Sequence, residues 1–217
     1  PLTDAWCSSV ETKEFITFAA EARPFLGTPP PHEGTQGMPR FLGRSTVGLH
    51  AGEIQRLLAF VASRPDVSRV AALVAANHTG PAALHALVNN KGGSIGAGDA
   101  TGTGSGSKLP DVPLCVLGGI SDYASVVRAP QYNTPSSIDI TGVLSAYDLT
   151  DLSAALAPQP QLLLHPVTPM LQPMSAQQAN TSFENVRQQY VRRGAEAALE
   201  VMVEGEGKRE RKGKRSE

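Results

Sequence analysis

The sequence has only two cysteines, Cys7 and Cys115, too few and too far apart for a disulfide framework or a CxxC metal site. Both are expected to be free thiols, and Cys115, inside a strand-like run, to be buried. Long apolar runs are also missing. The longest, residues 70–76, falls far short of the ~20 residues that cross a bilayer as a helix. Asp4, Glu11 and Glu14 interrupt the first residues and exclude a signal peptide within them. With no leader, span or disulfide, the cytoplasm is the default expectation. Charge is sparse, at 18% of residues, and unevenly placed. Residues 208–217 hold six Lys/Arg against two Glu, which leaves 13 basic and 18 acidic residues elsewhere, a net of −5. Such a body offers no broad patch for nucleic acid. The tail, through Lys208, Arg209, Arg211, Lys212, Lys214 and Arg215, reads as solvated and disordered, with contact to a polyanion as the alternative.

What is present is enough for one sizeable core: 217 residues, 41% of them hydrophobic. The expected organisation is one domain over residues 1–204, a flexible Gly/Ser/Thr-rich insertion at about 92–108, and a basic tail at 205–217. Residues 15–20 read as a short buried strand ended by a Pro/Gly-rich stretch. From Ser45 the period changes: Leu49, Ile54, Leu57, Leu58 and Val61 share a helical face, and Ser63, Arg64 and Pro65 stop it. The apolar run 69–76 predicts a parallel strand, central in its sheet and covered on both faces. A tight turn and a helix over residues 82–88 follow. Residues 113–120 predict a strand, Ser121 or Asp122 a cap on a short helix, 143–156 a helix, 161–165 a buried strand, 175–193 a helix-compatible segment, and 198–203 an edge strand. The alternation predicts an α/β fold with a mainly parallel sheet flanked by helices, and places ligands at the carboxyl ends of the strands.

Several blocks then carry a family resemblance: residues 21–28 (EARPFLGT), 42–49 (LGRSTVGL), 83–86 (ALHA), 132–135 (YNTP), 147–152 (YDLTDL) and 157–160 (APQP). In this order the chain resembles the acetyl-xylan-esterase-like and dienelactone-hydrolase-like branch of the α/β-hydrolases. The resemblance covers most of residues 15–203. It implies carboxylic-ester hydrolysis by acyl transfer, a small acyl-ester ligand and no cofactor. It also implies that the first strands of the fold and its oxyanion loop lie upstream of Pro1.

The family's nucleophile elbow, Gly-x-Ser-x-Gly, is matched by Ala76, Asn77, His78, Thr79 and Gly80, with His78 in place of serine. Histidine forms no ordinary acyl-serine intermediate, and Thr79 supplies a hydroxyl one position late. Thr168 stands near the acid position, where a hydroxyl does not orient an imidazolium as a carboxylate does. No histidine follows Glu204. The chain is therefore expected to be inactive or impaired, with a non-catalytic binding or scaffold domain, or a fragment of a larger hydrolase, as alternatives. His85 and His165 read as packed side chains satisfied by backbone carbonyls, and His32 and His50 as surface residues; His78, His85 and His165 show no metal-ligand spacing. Ser45 or Thr46 reads as a helix N-cap. Residues 102–108 lack the spacing of a phosphate loop and read as linker.

Overall fold

The computed structural model describes residues 43–91 and 111–204. The expected strand at 15–20, the insertion at 92–108 and the basic tail lie outside the described residues.

The chain runs through α1 (Thr46–Ser63), β1 (Leu73–Ala76), α2 (Gly80–Lys91), β2 (Leu114–Leu117), α3 (Tyr123–Arg128), α4 (Leu149–Ala155), β3 (Gln161–Leu164), α5 (Ala176–Ser182), α6 (Glu184–Arg192) and β4 (Leu199–Met202). The four strands form one parallel sheet in the order β1-β2-β3-β4. This is the α/β architecture that the alternating pattern predicts.

Local chemistry sets the ends of the helices. Ser45 caps α1 by accepting from Gly48 N at 3.0 Å, satisfying one of the donors that the first turn leaves unpaired. Asp122 caps α3 through Ser125 N. The run 143–156 does not form one helix. A single 3₁₀ turn at Val143–Ser145 precedes an extended Asp148, which starts α4 in a reciprocal capping box with Asp151. Asp148 also accepts from Tyr123 N (2.6 Å) and Ala124 N (3.0 Å), so one carboxylate fixes the starts of two helices.

Strand lengths follow pairing rather than apolarity. Leu73 enters the ladder by donating to Pro113 O at 2.8 Å, whereas Ala71 and Ala72, equally apolar, stay exposed outside it. Among the described strands β1 is an edge, not the expected centre. Leu73, Leu114, Gln161 and Leu199 share one face of the sheet with Ala75, Val116, Leu163 and Val201, and this face packs on the core. The opposite face is more open: Val74 is 48% exposed, Glu200 is exposed, and Leu117, Leu162, Leu164 and Met202 are half-buried. Coverage of β1 on both faces is thus not what forms. The strand order explains this, because successive crossovers of one hand that never reverse direction place their helices on one side of the sheet.

The core joins α1, α2, α4 and α6 to the sheet through Leu58, Leu84, Leu87, Leu152, Val186 and Tyr190. Cys115 is buried in β2, and burial pushes its thiol pKa up, keeping it protonated and unreactive. His50 is half-buried in α1 rather than fully at the surface.

Candidate functional site

The carboxyl ends of three strands turn out of the sheet in the same way. Asn77 (φ 53°) follows Ala76, Gly118 (φ 66°) follows Leu117, and His165 (φ 50°) follows Leu164. The strand register aligns Ala76, Leu117 and Leu164, so the three left-handed residues stand in a row along one edge. A left-handed residue other than glycine costs roughly 1–2 kcal/mol. Two such residues on one rim are held by their surroundings: Gly118 N donates to Leu164 O (2.9 Å) and His165 N to Met202 O (2.7 Å).

Beyond Asn77 the chain makes one 3₁₀ turn, Asn77–Thr79, and enters α2 at Gly80. Strand, sharp turn and helix are thus joined as an elbow requires. A Cβ on Gly80 would stand 2.9 Å from Val116 Cγ1, so this close approach of α2 to β2 needs glycine. The strained residue is Asn77, one position before His78. Both side chains are exposed. Thr79 does not offer its hydroxyl, which donates to Ala76 O at 2.8 Å.

A cleft of about 500 Å³ opens over this edge. Asn77, His78 and Pro81 form one side, Gly118, Ile120, Val167 and Leu171 the floor and far side, and Asn133, Thr134, Pro135 and Ile138 the remaining wall. Thr134 is only 7% exposed, and its Oγ1 has no hydrogen-bond partner among the described residues. A buried hydroxyl without a partner carries a desolvation penalty of ~1–3 kcal/mol. Its place in the wall of a cleft is a reason to retain it. The cleft offers amides from Asn77 and Asn133, the Thr134 hydroxyl and the His78 imidazole among apolar surfaces, and no carboxylate belongs to its described lining.

Thr168 does not line this cleft. It closes a tight turn instead, with its Oγ1 accepting from Gln172 N at 3.2 Å and its backbone O accepting from Leu171 N at 2.8 Å. That turn presents Leu171 (φ 61°) to the cleft. His165 lies outside the cleft lining too, and its Nδ1 is buried without a partner, not satisfied by a carbonyl as expected. Of the residues singled out in the sequence, Asn77 and His78 reach the cleft. Asn133 and Thr134 were legible only as part of a family-like block, with nothing to mark them as site residues.

His85 supports the elbow from below. Its Nδ1 lies 2.7 Å from Pro81 O and its Nε2 2.9 Å from Tyr147 Oη. A carbonyl only accepts, so Nδ1 carries the proton, donates to Pro81 O, and leaves Nε2 to accept from the Tyr147 hydroxyl. Burial lowers the pKa of His85 below its usual 6.5, opposed in part by the bond to Pro81. The neutral ring is therefore the folded form. Its contribution to stability is present above about pH 6.5 and is lost as the pH falls toward the folded pKa, where the unfolded chain binds the extra proton. Urea unfolding from pH 7.5 to 5 is expected to show stability falling below about pH 6.5, by at most ~1.4 kcal/mol per pH unit from this group, and the fall should be shallower in His85→Gln.

Among the described residues no group of three His, Cys, Asp or Glu is placed to hold a metal ion, and no helix is long and apolar enough to cross a membrane. No family model, curated protein or solved structure matches the chain.

Proposed function

We propose that this chain is an esterase-lineage α/β-hydrolase-type domain that binds a small neutral acyl compound, an ester or amide, in the elbow cleft without hydrolysing it. The observation that carries the reading is the composition of the cleft. A buried, unpartnered Thr134 hydroxyl stands beside two amides, while the hydroxyls of Thr79 and Thr168 are committed to Ala76 O and Gln172 N. Thr134 Oγ1 is a donor for a carbonyl oxygen, the amides of Asn77 and Asn133 supply further polar contacts, and Ile120, Ile138 and Val167 cover the acyl chain. Nucleophilic acyl transfer needs a nucleophile hydrogen-bonded to a base that a third group orients. His78 has no such partner: it makes no side-chain hydrogen bond to another described residue, and no carboxylate faces it from the described lining of the cleft.

Ethyl acetate serves as both ligand and substrate in the test, followed by NMR. The expected result is saturable binding with shifts at Asn77, Asn133 and Thr134, and no acetate release. Thr134→Val, matched in shape, should weaken binding about tenfold, the loss of one hydrogen bond to a buried partner, while raising folding stability or leaving it unchanged. Acetate release that His78→Ala abolishes would make the chain a working hydrolase. Binding unaffected by Thr134→Val would remove the carrying observation.

A further inference from the structure

A second cavity, of about 480 Å³, lies on the other side of the segment that walls the elbow cleft. Its construction starts at Tyr123, the first residue of α3. The Asp122 cap and the bonds from Tyr123 N and Ala124 N to Asp148 fix the backbone there. The Tyr123 ring is consequently held in place and is 5% exposed, yet its hydroxyl has no partner among the described residues. Phenol hydroxyls are normally paired when buried. Around Tyr123 the cavity is apolar: Val126, Ile140 and Val143 deep, with Val127 (74% exposed) and Leu144 (43% exposed) at the mouth. Contiguous exposed apolar groups rimming a concave surface mark a place where something binds.

We infer that this cavity is a second ligand site, taking a compact neutral molecule with an apolar ring or branched body and one carbonyl oxygen that accepts from the Tyr123 hydroxyl. Three features define that class. The lining is apolar apart from Tyr123, Asp139 and Ser145, and the Ser145 hydroxyl already donates to Gly142 O at 2.7 Å. Asp139 and Asp148 place negative charge near the phenol, which disfavours an anionic ligand. Burial, with Tyr147 and these two carboxylates, raises the Tyr123 pKa far above its usual value, so the hydroxyl keeps its proton and acts as a donor. The site does not depend on the elbow cleft, whose lining residues are different.

Acetophenone and ethylbenzene, nearly equal in shape and differing in one oxygen, are the probes. Titrated into the whole chain and followed by ¹H–¹⁵N NMR, acetophenone is expected to bind saturably with its largest shifts within residues 123–145. Tyr123→Phe should weaken acetophenone about tenfold, change ethylbenzene less than twofold, and leave the melting temperature unchanged or higher, because it removes an unpaired buried hydroxyl. Equal affinity of both proteins for acetophenone would overturn the inference. So would a melting temperature several degrees lower in Tyr123→Phe, since the hydroxyl would then have a partner in the folded protein. Leu144→Trp, at an exposed position, fills the mouth without burdening the core and should abolish binding of both probes. Undiminished binding in that variant places the probes elsewhere and also overturns the inference.

Discussion

Tyr190→Ala is expected to lower the folding free energy by about 4 kcal/mol, near the top of the range for a single buried aromatic. Tyr190 is fully buried in α6, inside the main core. Truncation removes its ring from contact with the core and leaves a cavity that the packed helices fill only in part. It also breaks a polar network in which every group is used. The Tyr190 hydroxyl donates to Gln159 O at 2.5 Å and accepts from Gln161 Nε2 at 2.6 Å. Gln161 Nε2 gives its other hydrogen to Ser153 O (2.7 Å), and Gln161 Oε1 accepts from Ser153 Oγ (3.0 Å). Three elements, α4, β3 and α6, are thus tied together at one buried point. Tyr190→Phe separates the two contributions: it keeps the ring and strands one carbonyl and one N–H, for a loss of about 2 kcal/mol. Urea titrations read both, with a lower midpoint at unchanged slope as the expected signature. A loss under about 1 kcal/mol in Tyr190→Ala would mean that the core does not close around this side chain.

The second large effect is expected from Gly118→Ala, a loss of about 2–3 kcal/mol accompanied by loss of ethyl acetate binding. At φ 66° an added side chain is strained. Here it also meets an obstacle, because the new Cβ would stand 2.7 Å from Asn77 Oδ1. Asn77 has to shift, and with it the strained turn that forms one side of the cleft. Gly194→Ala is the matched comparison. It shares the left-handed conformation (φ 62°) but an added Cβ meets nothing within 4 Å, so only the backbone strain of about 1 kcal/mol should appear. Equal losses in the two variants, with binding intact in Gly118→Ala, would show that the Gly118–Asn77 contact does not position the site.

Much of the α/β pattern is legible in the sequence because it is local. Ser45 and the spacing of Leu49, Ile54, Leu58 and Val61 specify α1 before any partner is considered, and Thr46–Ser63 is the helix that forms. Apolar runs around Val116 and Leu163 specify strands for the same reason, as does the cap at Asp122. The region 143–156 was not legible as two pieces, because what interrupts it is the Asp148 carboxylate turning to serve Tyr123 N and Ala124 N, 24 and 25 residues away in sequence. The candidate site divides in the same way. The elbow could be read from its small residues, but the turn falls on Asn77, since the backbone leaves the sheet where pairing with β2 ends at Ala76.

By itself, then, the sequence determined the α/β alternation, α1 and its cap, the helix that follows the elbow, and the lack of a serine there. These depend on periodicity and on side chains acting within a turn of themselves. The tertiary structure alone decided the sequential strand order with one open face, the row of left-handed residues along the strand ends, and the two unpartnered hydroxyls of Thr134 and Tyr123. Whether a hydroxyl is paired depends on which distant groups the fold brings to it, and a linear pattern of residue types carries no information about that.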